Sequence, residues 1–253
     1  MSAFFVSATS LLTAPPISPL QASESCQSAL KKEKVSVRYV YDGDTLQLSD
    51  RRRVRLVGLN TPELKEGAGW SRSVAVDAKS MLEQWLSLQS NVYLQVEQDA
   101  YDDYGRVLGY IVDAKGDDPA VTLLERGLAY AVVIAPNIEK QRCYFAAEKK
   151  ARQAGVGVWA HAAVTQAKHL SKKNTGFTLV QGRVTRQFHF KTSEALVLDE
   201  NLVVMLRGVT RLPSLSGKEV RVRGWIQAKS FKRDAFSARF TVYLNHFANV
   251  EVL

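Results

Sequence analysis

Between Val35 and Gly58 apolar and polar positions change over in short runs broken by turn residues. Val35, Val37 and Tyr39 point one way and Ser36, Arg38 and Val40 the other; Asp42-Gly43 turns the chain, and Thr45-Leu46-Gln47-Leu48 starts the return. A second turn at Ser49-Asp50-Arg51 leads into Val54–Val57, which predicts a three-strand meander with Asp44 and Arg55 on neighbouring strands. The period then changes. Val74, Ala75, Ala78, Met81, Leu82 and Trp85 recur at spacings of three and four, so residues 71–88 read as an amphipathic helix. Val92–Val96 and Arg106–Val112 return to strand spacing, and residues 121–126 and 139–153 read as helices, the second stopped by Gly155. Lys168–Gly176 reads as a polar linker. Beyond it every apolar run is short and β-rich, namely 177–184, 195–198, 202–206, 219–226, 240–244 and 250–253.

Length and composition add a boundary to this pattern. The chain has 253 residues, 46% of them hydrophobic, and carries a net charge of +9. Residues 165–253 hold 15 basic and 6 acidic side chains, whereas residues 1–164 hold 19 of each. A basic module following a neutral one suits contact with a polyanion, because lysine and arginine at a phosphate surface release condensed counterions; plain solubility is the alternative use of such charge. No apolar run of eighteen or more follows the N-terminus, so no membrane span is expected. Residues 1–22 read as the later part of a secretory signal cleaved after Ala22, which places the protein in the periplasm or outside the cell; a disordered cytosolic leader is the alternative. In an exported chain the two cysteines, Cys26 and Cys143, read as one disulfide, or else as two separate thiols.

The candidate chemistry lies in three segments: Asp42-Gly43-Asp44-Thr45, Arg55 to Glu63, and Asp102-Asp103-Tyr104-Gly105-Arg106. Water attacking a phosphodiester builds negative charge on the non-bridging oxygens and gives up a proton. Arginines answer the first need with a planar, permanently charged fork; a carboxylate answers the second. Hard oxygen donors at Asp44, Asn60 and the Thr61 carbonyl could hold Ca²⁺ or another divalent cation. No Walker-type loop, Cys-x-x-Cys pair or Gly-x-Ser-x-Gly motif is present, and the four histidines form no metal-spaced pair.

Asp-Gly-Asp-Thr, an arginine followed by Asn-Thr-Pro-Glu, and Asp-x-Tyr-Gly-Arg, in this order and spacing, resemble the staphylococcal nuclease (thermonuclease) family. The likeness continues through Leu123–Ala129, Pro136-Asn137 and Gly155–Trp159, and so covers about residues 34–160. It implies a nuclease domain at 34–162 with an OB-type five-stranded barrel and helices, a linker at 163–176, and a second small, basic, OB-like β-barrel at 177–253, in an α+β, mainly β chain. It also implies hydrolysis of DNA or RNA by metal-activated water, leaving 3′-phosphate ends, by a chain assumed monomeric. Arg55 and Arg106 then match the phosphate-binding arginines, Glu63 the general base, Asp44 with Asn60 and Thr61 the metal site, Asp42 a supporting turn carboxylate and Tyr104 the tyrosine near the phosphate.

Two departures from the family pattern matter. Asn60 stands where the best-known member has a second metal-binding aspartate, which removes one negative charge and leaves a non-catalytic binding module as the competing reading. Val132 and Ile134 stand where tyrosines pack on the bound nucleotide, so base preference does not transfer. In the second module, Arg221, Arg223 and Trp225 share one strand face and are the expected nucleic-acid contacts there; Trp225 packed under a loop beside merely exposed arginines is the alternative.

Overall fold

The computed structural model describes residues 26–64, 69–161, 164–233 and 236–253; the leader read at residues 1–22 lies outside them. Strands β1 (Lys32–Val35) and β2 (Val37–Val40) are two halves of one segment divided at Ser36. They are followed by β3 (Thr45–Leu48), β4 (Arg53–Leu56), the short β5 (Leu59–Asn60), α1 (Trp70–Ser87), β6 (Val92–Tyr101) and β7 (Val107–Val112). The six-stranded sheet runs β1-β6-β7-β4-β3-β2. Its two outermost strands are the contiguous halves β1 and β2, so the sheet curls back on itself as an OB-type barrel, and the division at Ser36 accounts for a sixth strand in place of five. Pairing is antiparallel except between β4 and β7, which run parallel. Leu46, Val54, Leu56, Leu94 and Ile111 fill the interior.

The helices close this barrel. α2 (Pro119–Glu125) starts at Asp118, whose side chain accepts from the Ala120 N–H, with Pro119 at the first helical position where no amide hydrogen is needed. The other Asp118 oxygen takes Lys140 Nζ at 2.7 Å and the Tyr144 hydroxyl at 2.6 Å, a buried cluster that ties α2 to α3 (Gln141–Ala154). α3 ends at Gly155 in the left-handed conformation, and α4 (Val158–His161) follows. Between α2 and α3, β8 (Tyr130–Ala131) pairs with β5. Cys26 and Cys143 are joined in a disulfide that fastens the start of the described chain to α3.

The second half repeats most of the pairing scheme of the first. β9 (Thr165–Gln166) precedes the long β10 (Gly176–His189), β11 (Ser193–Leu198), β12 (Leu202–Arg207), β13 (Glu219–Ile226), the hairpin β14 (Phe231–Arg233) and β15 (Phe236–Ala238), β16 (Phe240–Leu244) and β17 (Val250–Val252). β10 pairs with β13 through Gly176–Arg183 and with β11 through Val184–His189, the register shifting between Val184 and Arg186. β12 and β16 are the parallel pair. The segment expected as a linker is instead built into this barrel: β9 pairs parallel with β10, Ala167 and Leu170 are buried in its core, and Asn201 Nδ2 donates to the Ala167 carbonyl at 2.7 Å.

The two barrels meet along residues 131–135. Ala131 donates its N–H to Glu148 and accepts from Arg223; the N–H and carbonyl of Val133 bond the Asn249 amide; those of Ala135 bond the Asn245 amide. Three alternate residues thus have one edge satisfied by side chains, and three of the four side chains come from the second barrel. Arg223 and Glu148 pair at 2.7 Å with side chains 6% and 3% exposed.

Candidate active site

The site grows out of the β3–β4 hairpin and the turn that precedes it. Gly43 is required by space, since a Cβ there would lie 2.6 Å from the Ala78 Cβ on α1 and 2.7 Å from Thr61 Cγ2. The next residue, Asp44, is buried just before β3, and its carbonyl accepts from Leu56 N at 2.8 Å. One carboxylate oxygen accepts from both the N–H and the hydroxyl of Thr61, each at 2.8 Å. The other lies 3.1 Å from Thr45 Oγ1 and 3.1 Å from Arg55 Nη1. Arg55, opposite Thr45 in the ladder, also donates to the Leu56 carbonyl at 2.7 Å and to Asn60 Oδ1 at 3.3 Å. Its guanidinium is therefore fixed in place by the residues that flank it in sequence.

Asp42 lies behind this group and accepts from the Asp44 N–H at 3.0 Å. Burial first, then the neighbouring Asp44 carboxylate, push its carboxyl up to about 6. The donor chemistry fits a hard divalent cation: carboxylate at Asp44, amide oxygen at Asn60, the Thr61 carbonyl, and a second carboxylate close enough to be disturbed by the first. Among the described residues no group of three or more His, Cys, Asp or Glu side chains is placed to hold a metal ion, so a cation here would rest on that mixed oxygen set.

Arg106 arrives from the turn before β7. Asp102 holds it in two ways, accepting from its backbone N–H at 2.8 Å and from Nε at 2.7 Å, and also accepts from Tyr104 N at 3.0 Å to shape the turn. Burial raises the Asp102 carboxyl, but these hydrogen bonds from Arg106 outweigh it and hold the group below the usual carboxylate range. Tyr104 is 77% exposed, its ring 5.6 Å from the Arg106 guanidinium. Glu63 is exposed on the rim.

All of these side chains except Thr61 line one cleft of about 1030 Å³, together with Tyr39, Tyr41, Val132, Ile134 and Trp225. The expected contacts of the second barrel divide. Trp225 reaches this cleft, whereas Arg223 is buried against Glu148 and Ala131, where it holds the barrels together and presents no face to a phosphate. Arg221 pairs with Glu251 at 3.2 Å and with Gln181. Strand periodicity put the three on one face but carried no sign that the face would meet another barrel.

The curled OB-type sheet brings two arginines and a buried carboxylate to one open cleft, a setting whose chemistry suits phosphate groups. Residues 53–161 match the family described as staphylococcal nuclease homologue, which supports a role in cleaving or binding nucleic acid. No curated protein matches the chain. Among the described residues no helix is long and apolar enough to cross a membrane.

Proposed function

We propose that the chain is a metal-dependent nuclease that hydrolyses phosphodiester bonds of DNA or RNA. The observation that carries this reading is the convergence of Arg55, Arg106, Glu63 and Asp44 on a single cleft. Arg55 and Arg106 receive the non-bridging oxygens, where charge grows as water attacks, and both are held in position before any ligand arrives. Glu63 takes the proton from the attacking water. A Ca²⁺-type ion, held by Asp44, Asn60 and the Thr61 carbonyl, would add fixed positive charge at the phosphate. Cleavage of the 5′ P–O bond leaves 3′-phosphate ends, and an exported enzyme fits the pair Cys26–Cys143.

The test is cleavage of single-stranded DNA with Ca²⁺ by Glu63→Gln and Arg106→Ala. Each is expected to lose about 10² to 10⁴-fold in rate; undiminished cleavage by both removes these residues from the reaction. A second reading, a binder without catalysis, is favoured by Asn60, whose amide oxygen bonds Arg55 and brings no charge to the cation. Salt-sensitive DNA binding with no cleavage under any divalent ion would establish it.

A further inference from the structure

Trp225 connects the active-site cleft to a second hollow. The ring is 42% exposed, and it packs edge-on against Phe177 at 5.1 Å, which in turn lies 5.3 Å from Tyr130. That packing fixes one face of the indole and leaves the remainder to the cleft. Ile134, 54% exposed, stands beside it, its backbone held between Val133 and Ala135 by the asparagine clamps. Trp225 and Ile134 also line a hollow of about 300 Å³ on the second barrel, bordered by Arg207, Tyr243 and Asn245. Arg207 and Tyr243 continue into a shallower depression along the end of β12.

The chemistry along this path changes from catalytic to adhesive. Arg207 lies 4.2 Å from the centre of the Tyr243 ring and Lys229 Nζ lies 5.4 Å from it, so two cations border one aromatic plane. Arg207 and Lys229 are both exposed. Some other arginines of this barrel are matched by carboxylates, Arg186 with Glu200 and Arg183 with Glu219, whereas Arg239 bonds Asn201. Aromatic planes next to cations, spaced along a groove that opens from a phosphate-handling cleft, suit a strand whose bases are free to stack; a duplex keeps its bases inside.

We infer that the cleft continues across the junction as a track for single-stranded nucleic acid, with Trp225 as its stacking platform and Arg207 and Lys229, gathered against the Tyr243 ring, as phosphate contacts. Trp225 thereby supplies, from the second barrel, an aromatic surface at the place where the first barrel has Val132 and Ile134. The inference rests on the nuclease reading for the direction of the strand, but its test reads binding.

Fluorescence anisotropy with labelled single-stranded oligonucleotides of about 16 nucleotides, DNA in one arm and RNA in the other, is measured on full-length chain carrying Glu63→Gln. Trp225→Ala is expected to weaken binding about tenfold, and Trp225→Phe to restore most of it. Arg207→Ala with Lys229→Ala is expected to lower the slope of log K against log salt by roughly 0.7 per cation removed. Arg186→Ala removes an arginine that lies off the track and is paired with Glu200, and is expected to change neither quantity. Wild-type affinity and slope in the Trp225 and Arg207/Lys229 variants, or an equal loss with Arg186→Ala, overturn the track. A preference for duplex over single strand overturns it too. Absence of cleavage by the wild-type chain would overturn the nuclease reading instead and leave the binding result to stand by itself.

Discussion

The two barrels share most of one pairing scheme and use the same sheet face in opposite ways. In the first, the outer face of β3, β4 and β7 carries Thr45, Arg53, Arg55 and Leu108 and forms the floor of the cleft. In the second, the corresponding face of β11 and β12 carries Ala195, Val197, Val203 and Met205, and the β14–β15 hairpin covers it with Phe231 and Phe236. One barrel leaves the face wet and charged; the other makes it a second small core. The backbone scheme therefore does not decide where chemistry goes, which depends on what lies over one strand pair.

The largest expected effect comes from undoing the contact between them. Arg223→Ala leaves Glu148 buried without its charged partner, a change that costs about 3 to 5 kcal/mol; a thermal melt should show a large drop, whereas Arg223→Met with Glu148→Leu should recover much of it. Arg55→Ala tests the wet face: cleavage should fall about 10² to 10³-fold, measured at matched folded fraction. Adding back a charge tests the metal pocket, since Asn60→Asp should tighten Ca²⁺ binding about tenfold by calorimetry if ligand charge limits it; no gain would place the limit elsewhere. The smallest effect concerns pH. His246 accepts the Ala248 N–H through Nδ1 in the turn between Asn245 and Asn249, and burial holds its imidazole below the ordinary value of 6.5. A histidine with a depressed folded value contributes stability above its unfolded value and loses it as pH falls through the folded one. Melting temperature should thus decline on acidification below about 6.5, and His246→Asn should flatten that decline.

Much of the first barrel was legible because its signals are local. Asp44, Arg55 and Asn60–Thr61 lie within eighteen residues of chain, and tight turns leave them little choice but to meet. The helices α1 and α3 announced themselves by period and by Gly155. Other features depend on distant partners. Lys168–Gly176 reads as a linker because its composition is polar, yet the buried Leu170, with Ala167 just before it and the β9 pairing, seats the segment against the barrel. Arg223 shares its face with Trp225, and only the arrival of Glu148, 75 residues away, makes one buried and the other exposed. Arg207, Lys229 and Tyr243 carry no motif at all. Parallel pairing of β12 with β16 and the return of the chain after β13 bring them together.

The side-chain edging of residues 131–135 bears on how the protein is made. Alternate N–H and C=O groups along a strand edge invite pairing with any other strand, including one from a second copy of the chain. Here Asn245, Asn249 and Arg223 occupy those groups, and all three are synthesised after the first barrel is complete. A nascent or proteolytically shortened chain would keep only the Glu148 contact to Ala131 on that edge, and the Val133 and Ala135 groups would be left open to pairing with a second copy.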